Sequence, residues 1–563
     1  MSNQMKGAYI LMEALLKENV DTIFGYPGGS IMPTFDALYD YMDKFNYVLT
    51  RHEQGASHAA QGYARVSGKT GVCLVTSGPG ATNTITGIAD AMMDSTPLVV
   101  IAGQAGASLL GTDAFQEVDL IGCTLPITKW SYQIRSAADI APAVAKAFYI
   151  ANTGRKGPVV LDFTKNAQVE MADFNWEKCL FTRGYIPYTA INPAQIEAAA
   201  EIINKAEKPL ALVGQGVILA NAETELKAFL EKADIPAGNT LLGLSALPTD
   251  HPLNKGMLGM HGNVGPNIKT NEADVIIAIG MRFDDRVTGD LKTYAKQAKI
   301  VHMDIDTAEM DKNVKATAKV LGDVKASLPE LTLKLKEAKH TKWIESFKEH
   351  EEKENDKVIT PEVHPTEGPL KMGEVVRKIS EATNNEAVLV TDVGQNQIMA
   401  ARYFKYTKSR SVVTSGGLGT MGFGIPAAIG AKIGAPERTV CMFAGDGGFQ
   451  MTIQELGTIM EKQIGVKMII LNNNYLGMVR QWQELFFKER YSSTPMSNPK
   501  FNTIADAYGI KNAEVNTREE LDAAIKEMFA DDKPYLLVAN CEEMGMVYPM
   551  VPAGETVTNI LLG

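Results

Sequence analysis

The sequence predicts an α/β protein of three doubly wound parallel-sheet domains. Three observations predict it. The 563 residues are too many for one hydrophobic core. Short, continuous apolar runs rich in Val and Ile recur along the chain, as strands buried on both faces of a parallel sheet require. Helical patterns alternate with them, as crossover connections demand. A hydrophobic content of 45% with 21% charged residues is ordinary for a globular protein in water. The formal net charge of −11 leaves no basic surplus to neutralise phosphates, which excludes nucleic acid as a main partner. No apolar stretch reaches the roughly 20 residues that span a bilayer. The start, Met1-Ser-Asn-Gln-Met-Lys-Gly, enters a helical pattern directly and shows no leader, so a cytoplasmic protein is expected. The five cysteines are scattered. Cys73 and Cys441 fall within strand-like runs and read as small buried apolar residues in a reducing compartment.

The first domain, residues 1–170, carries the strand-like runs Thr22-Ile-Phe-Gly-Tyr, Val72-Cys-Leu-Val-Thr, Leu98-Val-Val-Ile-Ala and Val159-Val-Leu-Asp-Phe. Met171 to Ile191 is polar, dotted with aromatics, and reads as a linker. The second domain, 192–339, opens on Asn192-Pro193, an N-cap followed by proline at the first helical position. Its strands are Leu210-Ala-Leu-Val, Val275-Ile-Ile-Ala-Ile and Lys299-Ile-Val-His-Met. From His340 to Gly368 charge and proline dominate, which predicts an exposed helix and linker. The third domain, 369–541, carries Ala387-Val-Leu-Val-Thr, Ser411-Val-Val-Thr, Thr439-Val-Cys-Met-Phe, Val466 to Leu471 and Tyr535-Leu-Leu-Val-Ala. Residues 542–563, with Tyr548-Pro-Met-Val-Pro552, form a tail expected to lie over the surface. The first and third domains each place a Gly-rich turn before a small-residue helix, Ser77-Gly-Pro-Gly80 and Ser415-Gly-Gly-Leu-Gly419, which suggests two related sheets facing each other.

The densest chemistry lies in the third domain. Gly445-Asp446-Gly447 follows one predicted strand, and Asn472-Asn473 closes the next. Ligands of parallel α/β sheets sit at such carboxyl ends. A carboxylate and an amide oxygen converging there suit Mg2+, which takes oxygen ligands and keeps phosphates in its shell. Each motif alone is a common turn. Together, at this spacing, they form the thiamin diphosphate signature, with Asp446, Asn473 and the Tyr475 backbone carbonyl as metal ligands. Glu53, at the start of a helix in the first domain, reads either as an acidic residue favoured by the helix dipole or as a carboxyl that shares a proton with the cofactor's aminopyrimidine. In the second role the protein tunes the cofactor and the cofactor does the chemistry.

Several longer runs carry a resemblance. Phe24-Gly-Tyr-Pro-Gly-Gly-Ser30, Arg51-His-Glu-Gln-Gly55, Thr76 to Asn83, Gly111 to Gln116, Arg282-Phe-Asp-Asp-Arg-Val-Thr-Gly289 and Gly477-Met-Val-Arg-Gln-Trp-Gln483 resemble the catalytic subunits of the biosynthetic acetohydroxyacid synthase family. The likeness runs through all three domains. It implies two thiamin-diphosphate domains flanking a Rossmann-like central domain. It implies that Glu53 activates the cofactor, and that Gly28, Gly29, Gln116 and Lys165 lie at the reacting centre. Pro27, Gln395, Gln397, Gly419, Met421, Gly445, Gly447, Gly448 and Met478 would surround thiamin diphosphate, with Met421 as the prop beneath its bent form. Trp482, Arg286 and Phe115 would contact substrate. Taken alone, Trp482 also reads as an ordinary aromatic, and Arg286 as a structural partner of Asp284 or Asp285. The resemblance further implies FAD in a non-redox role at Arg155, His261, Arg282, Asp304 and Asp323, where the residues alone offer only a weak Gly214-Gln-Gly216. One departure stands out. Asn396 replaces the family's usual histidine, keeping a hydrogen-bond donor for the diphosphate but losing a positive charge.

The implied reaction decarboxylates pyruvate and joins the resulting hydroxyethyl carbanion to a second pyruvate or to 2-oxobutyrate. That is the entry to valine, leucine and isoleucine synthesis. Glu53 and the metal ligands would come from different chains, so at least a homodimer is implied, with a separate small regulatory subunit. A flavin-using pyruvate oxidase, a flavin-free catabolic synthase and a catalytically silent subunit are the alternative readings.

Overall fold

The computed structural model describes residues 4–187 and 190–563, so Met1–Asn3 at the predicted helical start and Tyr188 and Thr189 in the predicted linker lie outside it. Three six-stranded sheets dominate, and every strand pair within them is parallel. Numbering the six strands of each sheet in chain order, the first and third sheets share one arrangement, 2-1-3-4-6-5, whereas the central sheet runs 3-2-1-4-5-6. The second order is that of a dinucleotide-binding fold. The expected kinship of the outer sheets, and the Rossmann-like character of the middle one, are both borne out.

The apolar runs read from sequence all become strands, among them Val275–Ile279, Lys299–Asp304 and Val466–Asn472. Strands without such runs escape sequence reading. Asn46–Leu49, Trp130–Ile134 and Lys511–Val515 are edge strands carrying exposed or half-exposed polar residues, so one face lacks the apolar signal. The Asn192 side chain accepts the Ala194 N–H at 3.0 Å, capping the helix Pro193–Ile203 as its sequence requires.

Three expectations need correction. Met171–Asp173, at the start of the expected linker, pairs antiparallel with Gln4–Lys6. The charged segment after His340 is helical as expected, but instead of standing exposed it runs as a train of short helices docked by one face on the central domain. Trp343 and Phe347, one turn apart, are buried, and the Trp343 indole N–H donates to the Pro209 carbonyl at 2.8 Å. Glu354 accepts the Val264 N–H at 2.7 Å and forms a buried ion pair with Arg402. The tail is not merely laid over the surface but is anchored into it at a few residues. Val547, Met550 and Val551 are buried, the Val551 N–H donates to the Met260 carbonyl at 2.7 Å, and Gln481 brackets the Val547 backbone. Sparse apolar residues among many charges conceal a one-sided docking face from composition.

The outer domains meet through two helices, Glu53–Ser67 and Gly424–Gly434, which pack backbone to backbone. A Cβ on Gly430 would stand 1.7 Å from the Ala59 carbonyl oxygen, and one on Gly62 would stand 2.0 Å from that of Ala427. Neither backbone oxygen can yield without unseating its helix. Gly430→Ala is therefore expected to cost on the order of 1–3 kcal/mol or more, read as a lowered midpoint of thermal unfolding, with no comparable loss for the same change at exposed Gly554 after correction for its positive φ.

Candidate active site

The metal half of the site grows from two adjacent parallel strands, Val440–Gly445 and Val466–Asn472, which pair Gly445 with Leu471. Asp446 begins the helix Asp446–Met451 and is buried. One of its carboxylate oxygens accepts the Asn498 amide at 2.6 Å, while the other, Oδ1, is buried with no partner among the described residues. Burial pushes its carboxyl up, against the opposing pull of Asn498. A buried, unpaired carboxylate oxygen needs a counter-charge, and a divalent cation supplies one. Asn473, also buried, donates its amide N–H to Gln395 Oε1 at 3.1 Å. Gln395 is itself held by Gln481 at 3.1 Å and by the Gly545 carbonyl at 3.0 Å. This chain of neutral amides occupies the Asn473 nitrogen, while the Asn473 oxygen accepts the Tyr475 N–H at 3.3 Å. Tyr475 bridges to Pro495, which orients its backbone. These residues fit Mg2+, although among the described residues no cluster of three His, Cys, Asp or Glu is present.

The glycines here answer to close neighbours. A Cβ on Gly447 would meet Leu476 Cδ2 at 2.7 Å, and one on Gly448 would meet Asp392 Oδ1 at 2.1 Å. Asp392, absent from the sequence expectations, is buried and gathers the N–H groups of Val393, Gly422 and Gly424 at 2.8–3.1 Å. It thereby shapes the turn that carries Met421, whose Cε approaches the Gly447 position at 3.8 Å. Asn396, which stands where the family usually has histidine, is buried with one of its two amide N–H groups engaged. Its amide donates to the Phe443 carbonyl of its own sheet at 3.0 Å.

In the first domain the expected residues gather at the carboxyl edge of the sheet. Pro27, Gly28 and Gly29 follow the strand Thr22–Gly25, and Lys165, exposed, follows Pro158–Thr164. Glu53 Oε2 accepts the Asn83 amide at 3.0 Å, and Oε1 faces Gly80. The turn before it is tied to the third domain, where buried Glu455 accepts the Arg51 N–H at 3.0 Å and burial pushes that carboxyl up to about 7. Gly28 lies against Thr76, whose Cβ would be 2.5 Å from an added side chain, whereas Gly29 faces open space. Gln116 takes a left-handed backbone (φ 60°) over Gly78, and the Phe115 ring beside it is 89% exposed.

A cavity of about 770 Å3 lies where the three domains meet. All five residues expected at a flavin, Arg155, His261, Arg282, Asp304 and Asp323, line it. Gln397, Gly419, Met478, Trp482 and Arg286 line it too. Glu53, Pro27–Gly29, Phe115, Gln116 and Lys165 do not. Arg155 crosses from the first domain to Glu309 at 2.8 Å and Asp306 at 3.2 Å. His261 is buried, its Nδ1 3.1 Å from the Pro549 carbonyl, and burial holds it down to about 4, so the ring is neutral. Gly216 and Gly280 approach so closely that a Cβ on either would strike the other, which clears a backbone cradle at one wall. The weak Gly214-Gln-Gly216 thus marked a real wall of the cavity. Among the described residues Arg286 has only Asp285 as an ion-pair partner, at 3.6 Å and well exposed, a pairing too weak in water to occupy it. Trp482 packs edge-on against Phe486 at 5.4 Å.

Three models of the thiamine pyrophosphate enzymes match: the N-terminal TPP binding domain over residues 5–123, the central domain over 196–331 and the C-terminal TPP binding domain over 392–539. The chain is 44% identical to the acetolactate synthase isozyme 2 large subunit of Escherichia coli, covering 99% of both chains. It is 43% identical to the acetolactate synthase large subunit of Lactococcus lactis over 97% of this chain and 94% of that one. The chain belongs to the acetolactate synthase large-subunit family. A probable acetolactate synthase large subunit of Methanocaldococcus jannaschii, 44% identical over 99% of this chain and 95% of the other, extends the likeness to archaea. Thiamin diphosphate is the cofactor of this acetolactate synthase family member.

Asp304 closes the strand Lys299–Asp304 at the cavity wall, and burial pushes its carboxyl up to about 6. A folded acid that holds its proton more tightly than the unfolded chain contributes stability below about pH 4, near the unperturbed value, and loses it as pH rises through about 6. Asp304→Asn is thus expected to gain thermal stability relative to the parent protein between those pH values and to show no such gain at lower pH.

Proposed function

We propose that this chain catalyses the joining of two 2-oxo acids with loss of CO2, making 2-acetolactate from two pyruvates or 2-aceto-2-hydroxybutyrate from pyruvate and 2-oxobutyrate. That is the first common step toward valine, leucine and isoleucine. The observation that carries the reading is the meeting of Trp482, Arg286 and Met478 in one cavity, together with a buried Asp446 carboxylate oxygen, in the same third domain as Trp482 and Met478, that has no partner among the described residues.

Thiamin diphosphate supplies, when bound, the acidic carbon and electron sink that 2-oxo acid decarboxylation needs. Asp446, Asn473 and the Tyr475 carbonyl would hold Mg2+, and Gly447 and Gly448, which let Leu476 and Asp392 pack close, would lie against thiamin diphosphate. Glu53 would exchange a proton from its carboxyl, with Asn83 fixing the rotamer. Gln116 would donate a hydrogen bond to a developing oxyanion. Gly28 and Gly29 let backbone come close to the reacting centre, and Lys165 and Phe115 would complete it. Arg286 suits the acceptor's carboxylate, and the Trp482 face suits the extra methyl of 2-oxobutyrate. The central part of the cavity would hold FAD without net redox change.

Glu53, Gln116 and Phe115 lie outside the cavity of their own chain, which supports a homo-oligomer in which one copy's first domain completes another's site. The relatives' designation as large subunits supports a separate small regulatory partner. Among the described residues no helix is long and apolar enough to cross a membrane.

Purified protein given pyruvate, 2-oxobutyrate, thiamin diphosphate, Mg2+ and FAD is expected to form both acetohydroxy acids. Acetaldehyde or acetyl phosphate in their place would overturn the assignment. Glu53→Gln is expected to lower turnover about 100-fold or more. Trp482→Ala is expected to reduce the preference for 2-oxobutyrate over pyruvate by about 1–3 kcal/mol, measured as the product ratio in competition.

A further inference from the structure

One loop, residues 414–420, walls the cavity on the side of the third domain, with Ser415 through Gly419 facing in. Its backbone is held from both outer domains: Gln397 of the third domain donates to the Ser415 carbonyl at 3.0 Å, and the first domain supplies the rest of the side-chain contacts to it from outside the loop. Asp94 accepts the N–H groups of Gly416 at 2.9 Å and Gly417 at 2.6 Å. Arg65 pairs with the same carboxylate at 2.7 Å and donates to the Thr414 carbonyl at 2.5 Å. One turn earlier on the helix Ile85–Met93, Asp90 accepts the hydroxyls of Ser415 and, at 3.0 Å, Thr420. Arg65, Asp90, Asp94, Thr414, Ser415 and Thr420 are buried, and Gly416 and Gly417 are half-buried. The second Asp90 oxygen is buried without a partner among the described residues, and burial together with Asp94 pushes this carboxyl up to about 6. Two carboxylates and an arginine are costly to bury, and here that burial is offset by the Arg65–Asp94 pair and by hydrogen bonds to this loop.

The loop touches both ligand regions. At Gly417 an added Cβ would lie 2.8 Å from Asp94 Oδ1 and 3.2 Å from Arg282 Nη2 of the cavity's central wall. Met421, immediately past the loop, abuts Gly447 beside Asp446. The exit of the loop is then pinned by Asp392 through Gly422 and Gly424. A shift at Gly417 is therefore transmitted within a few residues of backbone to the metal half of the site.

We propose that Asp90 and Asp94 are positioning residues which make the 414–420 loop a stiff link between the flavin region and the thiamin diphosphate–metal region, so that each cofactor tightens the other. The inference rests on the cofactor reading given above. The first ligand to bind settles the loop, and the second then meets a loop already ordered. Such coupling is reciprocal, so the factor must be the same in both directions.

The test uses full-length protein stripped of cofactors. FAD affinity is measured by flavin fluorescence with and without thiamin diphosphate and Mg2+, and thiamin diphosphate affinity by calorimetry with and without FAD. The parent protein is expected to show mutual tightening of at least about fivefold, equal in both directions. Asp94→Asn is expected to bring that factor below about twofold while both ligands still bind. Should Asp94→Asn not fold, the double change Ser415→Ala and Thr420→Val removes the donors on Asp90 and leaves both carboxylates in place, with the same loss expected. Independent binding in the parent protein, or undiminished coupling in a folded variant, overturns the proposal. Failure of the parent protein to bind FAD or thiamin diphosphate at all would instead sink the cofactor reading.

Discussion

The close contact between the Glu53 helix and the helix Gly424–Gly434 is the constraint on which the rest depends. Gly62 and Gly430 let two backbones approach nearer than any side chain allows. That proximity brings Asp90, Asp94 and Arg65 onto the 414–420 loop, and brings Glu455 under the turn before Glu53. The outer domains are thus parts of one structure, each shaping a functional segment of the other. Their shared strand order places both sets of carboxyl edges to serve related purposes, one presenting Glu53 and the other Asp446.

The site is built more from carboxylates held in low-dielectric surroundings than from exposed charge. Asp446 keeps one oxygen bare, Asp392 spends its charge on backbone N–H groups, and Asp304 stands at a cavity wall with a raised proton affinity. Neutral amides do the holding. Gln395 holds the Asn473 nitrogen, Gln481 holds Gln395, and Asn498 holds one Asp446 oxygen, all without adding charge.

Much of this was legible in the sequence. Buried parallel strands have continuous apolar runs, and turns that receive phosphates need glycine and an acid or amide at short range, so the sheets and the Asp446–Asn473 pair could be read directly. Edge strands such as Asn46–Leu49, the docking of the helices after His340 and the anchoring of the tail could not, because a segment with one buried face and many charges looks like linker. Asp392, Asn83, Asn498 and Asp94 were missed for a different reason. Their partners lie tens to hundreds of residues away, and an isolated Asp or Asn carries no mark of the backbone group it will meet.

The sequence by itself determined the class of fold, the cofactor signature and the family, since each depends on local pattern or on runs of neighbouring residues. Only the tertiary structure decided that the flavin-side residues share a cavity with Trp482 and Arg286, that Glu53 stands outside it, and that Asn396 turns to Phe443. Those outcomes follow from how closely two glycine-lined helices pack and from which buried polar atoms find partners. Both are properties of distance in space, which spacing along a chain does not encode.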